Sequence, residues 1–236
     1  MEPTHHGHVH PMLAINRTMG SILESMGFVL ASGPEMESGW YNFDVLNVPA
    51  NHPSRDMQDT FWIKGQDNTC LRTHCTSVTA RHLEIAVQKN TFPCAYASIG
   101  KVFRNEATDA RHEMQFHQCD GVVVGTDITM ADLRNCLTTL YTRVLGDDVQ
   151  MRFRPSFFPF VEPGLEVWVY HRGLNKWMEV MGAGMLHPNV LRNVGIDPDQ
   201  YRAFAFGGGT DRLTMARHSI PDIRPLYQGD LRVNQW

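Results

Sequence analysis

The sequence predicts an α+β fold, a largely antiparallel β-sheet flanked by helices, and three observations carry that expectation. Segments with helical periodicity are interspersed among β-prone runs instead of alternating strictly with them. Most of those runs are joined by short polar connections, which suits hairpins better than parallel crossovers. The clearest pair, residues 96–103 and 115–124, flanks a charged loop and reads as one long hairpin. With 236 residues and 42% hydrophobic content, the chain can bury a full core. One domain is expected over residues 11–236, preceded by a flexible arm at residues 1–10.

In chain order, His5, His6, His8 and His10 crowd the arm, but no nearby Cys or Asp supports a metal site, so they read as an arm only. Leu13, Ile15, Met19, Ile22, Leu23 and Met26 then recur at helical spacing, with Gly27 as a natural stop. Residues 28–30 read as a short strand and residues 33–37 as a turn. Residues 41–56 carry too many Asn, Pro and Asp for regular structure, and a loop of that length in a compact domain is usually functional. A strand pair at 60–63 and 70–74 is followed by a helix at 77–89. After the long hairpin, Thr129 caps a helix in which Met130, Leu133, Leu137, Leu140 and Val144 keep helical spacing up to Gly146. Strands are expected at 149–154, 166–171 and 177–181, and a short helix at 188–194. Finally, a buried strand at 203–206 runs into Gly207, Gly208 and Gly209 and a helix to His218.

Composition narrows the function classes. A net charge of -4 gives no basic field, so any nucleic-acid partner must be held by local patches or another subunit. The five cysteines, Cys70, Cys75, Cys94, Cys119 and Cys136, form an odd set without Cys-x-x-Cys, which suits a reducing compartment. No apolar run approaches the roughly 18 residues of a membrane span, and no signal-peptide core is present. A cytoplasmic protein with no membrane partner is the expectation.

Several nucleotide and hydrolase motifs are excluded. Gly100-Lys101 lacks the upstream Gly and following Ser or Thr of a P-loop, and Arg212 stands where a dinucleotide fingerprint needs Gly. There is neither a Gly-x-Ser-x-Gly elbow nor a His-Glu-x-x-His pair. What remains is two arginines on scaffolded positions. Arg104 ends a strand, and Arg212 opens a helix after a strand and three glycines that let a ligand approach the backbone. Forked guanidinium donors match carboxylate and phosphate geometry. Two of them converging on a polyphosphate, with Glu106, Glu166 or Glu179 available to hold Mg²⁺, suit nucleotidyl transfer by charge neutralisation.

Phe103-Arg104-Asn105-Glu106 with Phe116-His117-Gln118 is similar to motif 2 of class II aminoacyl-tRNA synthetases, and Gly207 to Arg212 is similar to motif 3. Further stretches resemble the alpha subunits of phenylalanyl-tRNA synthetases: His52-Pro53-Ser54-Arg55-Asp56-Met57, Arg72-Thr73-His74, Arg152 to Phe160 with Glu162-Pro163, and Met181 to Pro188. The resemblance covers the chain from His10 onward and implies a class II catalytic domain. It implies ATP-dependent activation of phenylalanine and transfer to the acceptor end of tRNA(Phe), with ATP and Mg²⁺ as cofactors.

By the same resemblance, Arg104 and Arg212 are catalytic and bind ATP together with Glu106, His112 and Phe116, and Glu179 takes the metal. Trp62, His74, Thr76, Gln118, Asp120, Phe158, Phe160, Val161, Ala205 and Gly207 bind the amino acid. A homodimer through residues 11–30, a beta subunit, or both, is implied as partner. On residue chemistry alone, Phe158 and Phe160 either fill a core or meet a substrate ring, with Ala205 and Gly207 leaving room for it. Three positions depart from the family pattern: Asp120 stands where Glu is usual, and Thr76 and Thr79 replace the Ser and Gln common in bacterial members. A paralogue that binds a partner, or charges a different acceptor, is the alternative reading.

Overall fold

The computed structural model describes residues 8–57, 59–110, 112–172, 175–230 and 233, with the backbone alone described at 171. The arm expected at residues 1–10 falls mostly outside them, and His10 caps the first helix, its Nδ1 accepting from Met12 N at 3.3 Å. That helix, α1 (Pro11–Ser25), leads into the short β1 (Val29–Leu30). Next come β2 (Met36–Ser38), β3 (Thr69–Leu71), α2 (Thr76–Lys89) and the long hairpin β4 (Cys94–Phe103) and β5 (Gln115–Gly125). Helix α3 (Met130–Leu145) starts on a capping box between Thr129 and Asp132. The remainder is β6 (Met151–Phe158), β7 (Val161–His171), β8 (Lys176–Leu186), α4 (Pro188–Asn193), β9 (Arg202–Gly209) and α5 (Thr210–His218).

Seven strands form one sheet in the order β1-β4-β5-β9-β8-β7-β6, antiparallel throughout except for the parallel β1–β4 pair. The fold class is therefore α+β, as the sequence predicts. Because strand side chains alternate, each strand feeds two cores. Phe204 and Phe206 of β9 turn to the face covered by α1, α3 and α5, with Cys119, Val167 and Ala183. Ala203 and Ala205 turn to the other face, where Phe43, Leu46, Ala80, Leu83, Val190 and Leu191 cover the sheet. The small side chains of β9 therefore lie on one face, and the sheet there is left uncrowded.

Four expectations change. Residues 60–63 and 70–74 do not form a strand pair: β3 pairs with β2, and Trp62 makes only an isolated bridge to Cys70. The turn expected at 33–37 gives way to a strand because buried Glu37 is gripped by Arg81 of α2, with N···O distances of 2.8 and 2.5 Å. The segment 41–56 contains a π-helical turn at Trp40–Asp44 and a 3-10 turn at Pro53–Arg55, joined by the 2.6 Å Arg55–Asp44 ion pair. Strand β6 runs on past 154 to Phe158, β7 starts earlier, at Val161, and β8 runs on past 181 to Leu186, with Gly164, Gly182 and Gly184 inside the β7–β8 ladder. A Cβ at Gly184 would lie 2.5 Å from Pro163 O, so only glycine permits that close approach. All five cysteines are free thiols, and no helix among the described residues is long and apolar enough to cross a membrane.

Candidate active site

A cavity of about 670 Å³ opens on the sheet face that carries the small residues of β9. Arg104 enters it directly after β4, where its backbone N donates to Met114 O at 2.9 Å and closes the hairpin. Its guanidinium lies 5.0 Å from the Phe116 ring centroid, and Nε reaches Thr73 O at 3.4 Å. Burial lowers the Arg104 pKa; Glu106 opposes the shift and Arg212 adds to it, so the two arginines share one field. Arg212, on the first turn of α5, lines the same cavity, with Nη1 3.5 Å from Glu179 O. The two guanidinium groups that the sequence singles out therefore do converge, carried by a strand end and a helix start.

What seats α5 is its own Asp211. The carboxylate, 1% exposed, accepts from His117 N at 2.8 Å and from the hydroxyl of Tyr227. His117 lies between Phe116 and Gln118 on β5, so this bond ties the Arg212 helix to the strand bearing two other cavity residues. Neither Asp211 nor Tyr227 stands out in the sequence, because the contact spans 94 positions on one side and 16 on the other.

At the far end of the cavity, Asp120 is buried and accepts from Cys75 N at 3.0 Å and Thr76 Oγ1 at 3.1 Å, at the start of α2. Burial pushes its pKa up to about 7 against the pull of those donors and of Arg104. Gly207 sits directly across the ladder, and a Cβ there would fall 1.9 Å from Asp120 Oδ1. His74 donates from Nε2 to Asn42 O at 2.9 Å, since a carbonyl can only accept, which leaves Nδ1 a bare acceptor. Burial lowers the His74 pKa to about 4, so the ring is neutral. His74 Nδ1 and Gln118 Oε1 are both buried without a partner among the described residues, and both residues line the cavity. Orphan buried acceptors are costly, and here they call for a ligand bearing N–H donors.

Next to them, the rings of Phe158 and Phe160 stack at 5.8 Å and 20°. Phe158 packs over Gly182, where a Cβ would stand 3.0 Å from its ring. Val161 and Ala205 complete this apolar end. Trp62, expected to touch the amino acid, is not among the lining residues: its indole packs on Phe43, which is, and its Nε1 donates to Arg55 O at 3.1 Å. Phe43 and Gly182 lie in stretches that resemble the family but carry no site role in the sequence reading, a core-like aromatic and a glycine whose roles depend on what crosses them.

The whole chain, residues 1–236, matches the family model for the tRNA synthetases class II core domain (F). It is 43% identical over 228 residues to the phenylalanine–tRNA ligase alpha subunit of Coxiella burnetii (strain RSA 493 / Nine Mile phase I), covering 97% of this chain and 67% of that one. The alpha subunit of Alkaliphilus metalliredigens (strain QYMF) is 46% identical over 241 residues, covering 98% and 69%. That of Azoarcus sp. (strain BH72) is 42% identical over 235 residues, covering 96% and 68%. The chain belongs to this class II synthetase family. It spans about two thirds of the length of the relatives it matches.

The stretches that resemble motifs 2 and 3 fall on the β4–β5 hairpin and the β9–α5 junction, and the sheet register sets β5 and β9 side by side. Glu106, His112 and Phe116 line the cavity together with Arg104. His112 is turned by its own loop, with N and Nδ1 2.8 and 3.0 Å from Asp109 Oδ1. Across from them, Glu179 of β8 is half-buried; burial and then Glu166 raise its pKa, while Arg212 lowers it. Among the described residues no three His, Cys, Asp or Glu side chains sit at metal-binding spacing. Mg²⁺ is usually held by one or two carboxylates together with substrate phosphates, and a carboxylate strained by a like charge fits that mode.

Proposed function

We propose that this chain joins phenylalanine to ATP as phenylalanyl adenylate and passes the phenylalanyl group to the acceptor end of tRNA(Phe). The observation that carries this reading is the convergence of Arg104 and Arg212 on one cavity whose other end combines a phenylalanine slot with orphan acceptors. In it, the substrate ring lies against Phe158 and Phe160, bounded by Val161 and Ala205, and its ammonium meets His74 Nδ1, Gln118 Oε1 and the Asp120 carboxylate, with Thr76 holding that carboxylate in place. The amino-acid carboxylate then points at Arg104. Its oxygen attacks the α-phosphorus of ATP and pyrophosphate leaves. The charge that gathers on the phosphorus oxygens is neutralised by Arg104 on one side and by Arg212 with the N-terminus of α5 on the other. Adenine stacks on Phe116 beneath the Arg104 guanidinium, with Glu106 and His112 beside the nucleotide. Glu179 is the residue that would hold Mg²⁺ beside the phosphates, and the bound ion would supply further charge neutralisation. In the second step the terminal 2′-hydroxyl attacks the phenylalanyl carbonyl and AMP departs, so no protein nucleophile is needed.

A second copy or a beta subunit completes the assembly in this reading. Leu13 of α1 and Val29 and Leu30 of β1 are 44%, 58% and 42% exposed, an apolar edge suited to such a contact. The test is phenylalanine-dependent ATP–pyrophosphate exchange across a panel of amino acids. Phenylalanine should give the strongest signal, and Arg104→Ala should reduce kcat/KM by roughly 10²-fold or more, the scale of losing one charge-stabilising donor. A comparable signal from that variant would remove Arg104 from the mechanism, and exchange with no amino acid would leave the paralogue reading standing.

A further inference from the structure

The sheet face that floors the cavity continues outward over β8, β7 and β6. In the register, Gly207 stands opposite Gly182, Gly182 opposite Glu166, and Glu166 opposite Arg154. The neighbouring row sets Glu179, which lines the cavity, opposite Trp168 and Trp168 opposite Arg152. Val167 and Val169 turn to the opposite face and join the core with α3, while Arg152 and Arg154 remain exposed and Trp168 and Trp177 half-exposed.

On this shelf the arginines sit over the indoles. Arg152 Cζ is 3.9 Å from the Trp177 ring centroid and Arg154 Cζ 4.8 Å from that of Trp168. Glu166, the carboxylate opposite Arg154, is engaged elsewhere: it accepts from Ser156 Oγ at 2.8 Å and Trp168 Nε1 at 3.1 Å, which locks that indole in place. No ion pair with a described residue neutralises either arginine. The cation–π contact holds each guanidinium over its indole, and the exposed side chain keeps N–H donors open to a ligand.

We propose that this shelf receives the single-stranded 3′ end of the acceptor RNA and leads it into the cavity. A single strand alternates phosphates with flat bases, which is what unneutralised guanidinium edges and layered π faces recognise. At about 4.8 Å between neighbouring strands, Arg154 lies roughly 14 Å from Gly207, so RNA resting on the shelf delivers its last nucleotide to the reacting centre. With a net charge of -4, the chain offers no general attraction to RNA, and recognition falls to such local cations. The inference rests on the transfer step proposed above and names the surface that serves it.

The test compares the unsubstituted chain with Arg152→Gln/Arg154→Gln. An RNA minihelix with a short single-stranded 3′ overhang, and the same helix cut blunt, are titrated over a range of salt, and pyrophosphate exchange is measured without RNA. The double variant should keep exchange within about twofold and bind the overhang minihelix roughly tenfold more weakly. Its log–log salt slope should be shallower by about 1.4, two single-strand phosphate contacts. The blunt helix should bind both proteins alike. An unchanged overhang affinity or salt slope, an equal loss for the blunt helix, or overhang-independent binding by the unsubstituted chain would overturn the proposal. So would a variant whose sedimentation alone changes, since that assigns the shelf to a protein contact. Absence of exchange in the unsubstituted chain refutes the activation reaction separately, because the RNA titration does not depend on it.

Discussion

Asp120 is ionised at a cost: burial holds its pKa at about 7, although Cys75 N and Thr76 Oγ1 donate to it. A carboxylate raised in the folded chain binds a proton that the unfolded chain releases near pH 4. Its contribution to stability is therefore full below that value and lost as pH rises through about 7. An ammonium ion bound beside it favours the charged form and pulls the pKa back down. The KM for phenylalanine in pyrophosphate exchange should accordingly fall as pH is raised from about 6 to 8, as the carboxylate ionises. Asp120→Asn should flatten that profile and raise KM throughout, and urea unfolding of the free variant should no longer weaken between about pH 4 and 7. A KM profile indifferent to this substitution would remove Asp120 from ammonium binding. That Asp120 faces Gly207 was not legible from either residue; an acid 87 positions from a glycine becomes its neighbour only through the β5–β9 register.

At the scale of elements, the Asp211 clasp holds α5 against β5, and the segment after α5 closes over it. The Tyr227 hydroxyl reaches Asp211, lies 3.3 Å from His117 Nδ1, and lies 3.4 Å from Met12 Sδ of α1. Four separate segments thus meet beside Arg212. Tyr227→Phe leaves a buried carboxylate one donor short, which should destabilise the chain by roughly 1–3 kcal/mol in urea unfolding. Because the loosened helix carries Arg212, the KM for ATP should rise while the KM for phenylalanine stays put. A fall in both affinities together would mean that the clasp serves the fold alone. Element types were mostly readable from periodicity and caps, as α1, α3 and the long hairpin show. The strand β2 was not, because its partner Arg81 lies 44 residues away on another element.

Across the whole molecule, one cavity joins an apolar end to a charged end, and its selectivity follows from that division. If the substrate ring lies in the Phe158–Phe160 slot with Val161 and Ala205, as proposed, an added hydroxyl is rejected only by being left without water. Such a pocket discriminates by about 10²-fold. Tyrosine should therefore support exchange with kcat/KM lower than that of phenylalanine by about that factor. No exchange at saturating tyrosine would show that a hydroxyl is sterically or electrostatically barred.

The sequence by itself determined the α+β class, the helices and central hairpin, and the two arginines with their flanking motifs, because periodicity, capping and short-range spacing are local properties of the chain. Tertiary structure decided what no local pattern encodes. It turned Trp62 onto Phe43 and left His74 Nδ1 and Gln118 Oε1 without partners among the described residues, in the cavity that Asp120 also lines. It also put Arg152 and Arg154 on the open continuation of the cavity floor. The physical reason is register: once antiparallel strands are paired, residues far apart in the chain share a row and a face, and those shared rows bring the charges, rings and glycines of the site together.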